Sequence, residues 1–200
     1  MGINLHTLNY IHANLKRAGY EDLEGLKICL FGNLYMRNDT HSYMGYPYKT
    51  AMKYFDSLGM ICVSFDTNAK DGSLPLDLSK PIPESMKNRF DILVNGGTAE
   101  HVSNQYNCFR NAHDLCRKMG LMIHVGPEIG SWPNHCNHWY SREFFRLLGV
   151  ENNYFIFDIH TNFRSGKLRG NLLYSAAVKL DNKEFMMPVP FKLLYERTAK

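Results

Sequence analysis

Short apolar runs alternate with amphipathic stretches along most of the chain. Four runs are apolar at nearly every position, which is typical of strands buried on both faces of a sheet. They are LKICLFGN (26–33), MICVSFD (60–66), FDILVNGG (90–97) and GLMIHVGPE (120–128). Apolar residues recur at helical spacing over residues 3–18, 48–58, 104–119 and 140–149. The pattern therefore predicts strands and helices in alternation.

This alternation predicts an α/β fold. Strand–helix–strand units build a mostly parallel sheet with helices on both of its faces. Two further apolar runs follow each other at 153–162 and 171–180, and they predict an antiparallel strand hairpin. We expect a single domain over residues 1–200, with a helical N-terminal extension over 1–25 and the core over 26–180.

The composition is that of a globular protein that needs no covalent cross-link. The chain has 200 residues, of which 44% are hydrophobic and 21% charged. Its five cysteines form no CxxC pair and are odd in number, which favours reduced thiols. The chain shows neither a signal-peptide pattern nor a membrane-length apolar run, so we expect a cytoplasmic protein without a membrane partner. The net charge of +4 comes from basic residues that are spread along the chain and denser near the C-terminal end; this favours an ordinary solvated surface over an anionic substrate or nucleic acid.

Small and polar residues follow the predicted strands. In parallel sheets, ligands bind just beyond the carboxyl ends of the strands. The positions to consider are Gly32-Asn33, Asp66, the segment 95–98 and the segment 126–128. The sequence therefore predicts a ligand site at this edge of the sheet.

The segment 90–148 has an ordered set of features. A Phe-Asp strand runs into a Glu-His turn, and a helix, a glycine turn and a second strand follow; a histidine-containing loop and a Tyr-Ser-x-Glu helix complete the order. This order resembles class I S-adenosylmethionine-dependent methyltransferases, and VSFDTNAKDGSLPLDLSKPIP (63–83) is similar to their acidic strand end and Asp-Leu segment. The resemblance extends over about residues 26–180 and implies a Rossmann-like, seven-stranded sheet, with S-adenosylmethionine as the cofactor.

The resemblance assigns cofactor-binding roles to several of the strand-end residues. Gly32, with Asn33 beside it, allows a close backbone approach to the methionine part, although the family usually has several glycines there. Asp66 is placed for the ribose hydroxyls and Asp77 for the adenine edge. Asn95 and Gly96 belong to the region of the sulfonium. The alternative for each is ordinary turn or capping chemistry.

The catalytic candidates are His101, His135 and Tyr140. Methyl transfer from a sulfonium is an in-line displacement, so the protein aligns donor and acceptor and removes a proton where the acceptor has one. His101 titrates near neutrality and is a candidate base, while its neighbour Glu100 either binds the cofactor ammonium, orients His101 or lies at the N-terminal end of the following helix.

The loop GSWPNHCNHWY (130–140) is dense in aromatic and histidine side chains and predicts contacts with an acceptor; the alternative is a Trp-anchored loop that closes the core. Its His-Cys-x-His spacing fits no standard zinc pattern, so we predict no metal. The preceding loop 34–46, with Arg37, His41, Tyr43 and Tyr46, is either a lid or a structural insertion.

The predicted function is S-adenosylmethionine-dependent methyl transfer to a small molecule or to a sugar-like or peptide-like metabolite. One alternative is a binding protein of the same fold without catalysis, which the glycine-poor first turn favours. Another is a nucleic-acid-modifying methyltransferase, which the absence of an Asn/Asp-Pro-Pro-aromatic motif disfavours. The absence of GxGxxG disfavours a nicotinamide dehydrogenase. The pattern leaves open whether the protein is an oligomer.

Overall fold

The structure is a computed structural model that describes residues 2–37, 48–162 and 170–199. His41, Tyr43 and Tyr46 of the predicted lid lie outside the described residues, so the lid stays a prediction. No helix in the described part of the chain is both long enough and apolar enough to cross a membrane.

Strands and helices alternate, as the apolar pattern predicts. The strands are β1 (Gly2–Ile3), β2 (Lys27–Phe31), β3 (Tyr35–Met36), β4 (Ile61–Phe65), β5 (Phe90–Gly96), β6 (Cys116–Pro127), β7 (Tyr154–Asn162) and β8 (Leu172–Lys179). The α-helices are α1 (Leu5–Arg17), α2 (Ala51–Ser57), α3 (Gln105–Leu115), α4 (Arg142–Glu151) and α5 (Pro188–Thr198).

The main sheet has the strand order β4-β2-β5-β6-β8-β7. The first four strands are parallel, and β8 runs antiparallel to both β6 and β7. The mostly parallel sheet and the antiparallel C-terminal hairpin are therefore confirmed. In addition, β1 and β3 form a small parallel pair of their own.

The prediction of seven strands is wrong for the described part of the chain, in which the main sheet has six strands. Beside the edge strand β4, the chain makes only an isolated parallel bridge between Phe65 and Leu74. Pro75, Pro81 and Pro83 follow within this segment. Since proline has no N–H to donate to a strand ladder, the segment stays irregular.

Helices cover both faces of the sheet, as predicted. Successive strand residues point to opposite faces: Ile28 and Leu30 of β2 pack in one core with residues of α1 and α2, while Cys29 and Phe31 pack in the other with residues of α3, α4 and α5. Both cores are closed by β5 and β6, which lie in the middle of the sheet.

One helix boundary differs from the pattern, and one helix was not predicted. The helix predicted to end at residue 119 ends at Leu115, because Cys116 already pairs with Phe90 as the first residue of β6. The C-terminal helix α5 begins with Pro188 in its first turn, where proline is favourable. The apolar spacing did not indicate α5, since only Phe191 and Leu194 of this helix are buried.

Candidate active site

A cavity of about 460 Å³ lies beyond the carboxyl ends of β4 and β5. We call it the first cavity. Its lining combines apolar side chains, two carboxylates and two imidazoles: Phe65, Asp66, Thr67, Leu76, Asp77, Leu78, Ser79, Gly97, Thr98, His101, Val102, Ser103 and His135. The predicted ligand edge of the sheet therefore contains a cavity in the size range of small-molecule sites.

Asp66 follows the last residue of β4 and lines the first cavity. Its two carboxylate oxygens accept the backbone N–H groups of Asn33, at 2.8 Å, and of Asn68, at 3.0 Å. These bonds fix the orientation of the carboxylate. Each oxygen keeps a further lone pair for a hydroxyl donor.

Asp77 lines the same cavity from the proline-rich segment. Its Oδ1 accepts both the backbone N–H, at 3.0 Å, and the hydroxyl, at 2.6 Å, of Ser79. Hydrogen bonds from Ser79 lower the pKa of Asp77, so this carboxyl stays ionised near neutral pH. The structure thus brings together the two acids that the sequence placed at the cofactor.

Gly32 and Asn33 form the turn after β2 but are not among the residues that line the first cavity. Gly32 has φ +87°, and a Cβ there would overlap the hydroxyl of Thr98. That hydroxyl donates to the carbonyl oxygen of Phe31 at 2.6 Å. The side-chain amide of Asn33 donates to Asp71 at 2.7 Å. The close approach that Gly32 allows is therefore taken by Thr98, and Asn33 reaches the site only through its bond to Asp66.

Asn95 and Gly96 end β5 and have different surroundings. The side-chain oxygen of Asn95, which is buried, accepts the N–H groups of Thr98, at 3.1 Å, and Ala99, at 3.0 Å. Asn95 thus shapes the turn that carries the next residues into the site. Gly96 lines a second cavity and packs against Leu34.

The second cavity has about 360 Å³ and lies beside the first. Its lining comes mainly from the segment 2–7, from the carboxyl ends of the central strands β5 and β6, and from the 130–140 loop: Gly2, Asn4, Thr7, Arg37, Gly96, Gly97, Glu100, Val125, Pro127, Trp132, His135 and Leu172. Gly97 and His135 line both cavities. The two spaces therefore meet at these residues.

Glu100 is a site residue for which the sequence analysis left three roles open. It lines the second cavity, is only 1% exposed, and its Oε2 has no hydrogen-bond partner among the residues that the structure describes. Burial raises its pKa to about 8. Glu100 and its neighbour His101 face different cavities, since His101 lines the first cavity and not the second. The Glu-His pair was the available signal, but sequence cannot show which of the two is buried.

The imidazoles of His101 and His135 lie 5.3 Å apart between ring centroids, edge to face. Partial desolvation, and then the neighbouring His135, lowers the pKa of His101, so its ring is neutral near pH 7 and can accept a proton. His135 also contacts Trp132, at 5.1 Å between ring centroids. Of the three predicted catalytic residues, these two histidines line the cavities.

Tyr140 lies in the core instead of facing an acceptor. It is 1% exposed, packs between the rings of Phe109 and Phe144, and its hydroxyl donates to Gln105 at 2.7 Å. The 130–140 loop is thus divided, since Trp132 and His135 reach the second cavity while Tyr140 anchors the loop. In the described part of the chain, no three His, Cys, Asp or Glu side chains are grouped so that they could hold a metal ion.

The comparisons with known proteins identify the fold. No protein-family model and no curated protein matches the sequence. Solved structures do match, among them Burkholderia thailandensis 1,6-didemethyltoxoflavin-N1-methyltransferase, solved with S-adenosylhomocysteine, with 15% identity, a TM-score of 0.54, and coverage of 88% of this chain and 82% of that one. The chain has the class I methyltransferase fold.

Other solved structures support the same conclusion. An S-adenosylmethionine-dependent methyltransferase from Mesorhizobium loti matches at 12% identity and a TM-score of 0.54, over 85% of this chain and 96% of that one. One from Aquifex aeolicus matches at 11% identity and a TM-score of 0.51, over 84% and 88%. The methyltransferase fold predicted from residues 90–148 is therefore confirmed, and both cavities lie at its ligand-binding edge.

Proposed function

We propose that the protein transfers a methyl group from S-adenosylmethionine to a small molecule, a class that includes sugar-like and peptide-like metabolites. The observation that carries the proposal is the pair of cavities that meet at Gly97 and His135 beyond the carboxyl ends of the parallel strands. A two-substrate transfer needs two adjoining sites, one for the donor and one for the acceptor.

The first cavity fits the donor. Its volume of about 460 Å³ suits a nucleoside-sized ligand. The fixed carboxylate of Asp66 is available for the ribose hydroxyls, and the ionised Asp77 for the adenine amine. Phe65, Leu76 and Leu78 supply apolar surface for the base. The sulfonium supplies the methyl group in activated form.

The second cavity fits the acceptor. With about 360 Å³ it admits a small molecule, and Trp132 offers a flat apolar wall. The indole of Trp132 is held in place because its N–H donates to the carbonyl of Asn171 at 3.1 Å. A rigid wall and an adjoining donor site hold two reactants in line, which is the main contribution a protein makes to this reaction.

Replacing Asp66 with alanine is expected to weaken binding of S-adenosylhomocysteine by roughly 10- to 100-fold, because hydrogen bonds to a charged group contribute about 1.5–3 kcal/mol. The measurement is calorimetric titration of both proteins. The matched control is Asp22→Ala, which changes an exposed acid in the loop after α1 and should bind like wild type. Equal affinities for wild type and Asp66→Ala would contradict the donor site.

A second candidate function, ligand binding without catalysis, is favoured by the turn after β2. Thr98 fills the space beside Gly32, and Leu34 packs against Gly96. A protein of this kind would use the first cavity for another ligand. The same titration separates the two functions, since folded wild-type protein that fails to bind S-adenosylhomocysteine at about millimolar concentration supports the second.

A further inference from the structure

Glu100 presents a buried carboxyl oxygen to the second cavity. The residue lies in the short turn Ala99–His101 after β5, is 1% exposed, and its Oε2 has no hydrogen-bond partner in the described part of the structure. An unpaired buried polar atom costs free energy comparable to a lost hydrogen bond. Because such atoms are rare in native proteins, this oxygen points to a partner that is supplied by a ligand.

Among the described residues, the groups on which Glu100 acts electrostatically are neutral, and burial is the main influence on its pKa. Burial is the largest effect on its pKa and exceeds the opposing effect of a hydrogen bond from its own backbone N–H. The groups on which Glu100 acts electrostatically are the thiols of Cys108 and Cys136 and the hydroxyl of Tyr140, all with raised pKa values. These groups are therefore neutral near pH 7. Arg37 and His135 are the cationic or titratable side chains that line the same cavity as Glu100 among the described residues.

We propose that Glu100 takes the proton of the methyl acceptor, so that the substrate is a neutral molecule that reacts through an O–H or N–H group. This inference rests on the proposed methyl transfer and deepens it. In the step, a lone pair of the acceptor atom forms a bond to the methyl carbon, and the carbon–sulfur bond breaks with its electron pair on sulfur. The acceptor's proton moves to Oε2 of Glu100, and the sulfonium becomes a neutral thioether.

Donor binding itself prepares Glu100 for this role. With a pKa of about 8, the carboxyl is mostly protonated near pH 7 and cannot accept a proton. A sulfonium at the junction of the two cavities places a positive charge beside it, and an opposite charge lowers the pKa of an acid. Glu100 therefore loses its proton to solvent when S-adenosylmethionine binds. S-adenosylhomocysteine lacks the positive sulfur and leaves Glu100 protonated.

The test counts protons released on binding, and needs no methyl acceptor. Both ligands are titrated calorimetrically near pH 7 in phosphate and in Tris, whose ionisation enthalpies differ, and the difference in heat gives the number of protons. We expect release of about 0.5 to 1 proton with S-adenosylmethionine and close to none with S-adenosylhomocysteine.

Variants assign the proton to one residue. Glu100→Gln is expected to abolish the release and to keep the affinity for S-adenosylhomocysteine within a few-fold. Glu100→Asp, which keeps a carboxyl group, is expected to retain part of the release. The matched control is Glu143→Gln, which removes an exposed acid paired with Arg146 and leaves the release intact. His135→Asn removes the imidazole shared by the two cavities and shows whether that side chain, instead of Glu100, is the source of the proton.

The outcomes separate this inference from the proposed function. Equal proton release with the two ligands, or release that persists in Glu100→Gln and disappears in His135→Asn, overturns the role of Glu100 while the donor site stands. If folded wild-type protein binds neither ligand, the methyl-transfer function itself fails, and this inference fails with it.

Discussion

Replacing Glu100 with glutamine is expected to make the protein more stable above pH 8 than it is with the native residue. The pKa of Glu100 is raised from 4.5 to about 8 by burial. An acid whose pKa is higher in the folded than in the unfolded state contributes most to stability below its unfolded-state pKa. This contribution is lost as the pH rises through the pKa of the folded state. Wild-type protein therefore loses stability between about pH 4.5 and 8, by roughly 5 kcal/mol at most.

The glutamine variant has no such loss, since its amide does not ionise. Urea unfolding of both proteins near pH 5, 7 and 9 measures the effect, with the difference in the free energy of unfolding growing towards alkaline pH. Glu143→Gln is the control, because Glu143 is exposed and its pKa is lowered by Arg146. A difference between wild type and Glu100→Gln that is constant from about pH 5 to 9 would show that Glu100 is not buried as an acid.

Replacing Lys179 with methionine is expected to destabilise the protein by about 3 kcal/mol or more. Lys179 is 2% exposed. Its ammonium donates to Asn88 Oδ1 at 3.1 Å and to the carbonyl oxygens of His113 and Cys116 at 2.8 and 2.9 Å. Methionine keeps the length of the side chain but leaves three acceptors without this donor, two of them at the end of α3.

Thermal and urea unfolding measure this loss. The control is Lys183→Met, which replaces an exposed lysine paired with Asp181 and is expected to change the free energy of unfolding by less than about 0.5 kcal/mol. Equal stabilities of the two variants would contradict the role of Lys179. The ammonium of Lys179 thus links the last turn of α3 to the first residue of β6.

The strand ends were predictable from the sequence because the underlying rule is local. A buried apolar run that ends in an acid places that acid at the carboxyl edge of a parallel sheet. Asp66 therefore lies in the first cavity, and Asp77 lines it too, as the resemblance implied. The sheet and its hairpin followed from the same alternation of apolar runs.

Other parts of the site depend on contacts between distant positions. Thr98 covers Gly32 across the sheet, which no property of the turn after β2 reveals. Tyr140 points into the core, where its hydroxyl donates a hydrogen bond to Gln105 of α3. Glu100 and His101 are adjacent in sequence, and only the turn shaped by Asn95 decides that the acid is buried. The spacing of residues along the chain does not show in which direction these side chains point.

The central claim is that the first cavity binds the methyl donor. A crystal structure of the protein with S-adenosylhomocysteine tests this most directly. We expect the ribose hydroxyls within hydrogen-bonding distance of Asp66, the adenine between Asp77 and the apolar residues of the first cavity, and the sulfur directed towards Gly97 and His135. Density for the ligand outside this cavity, or crystals that remain free of ligand at saturating concentration, would contradict the claim.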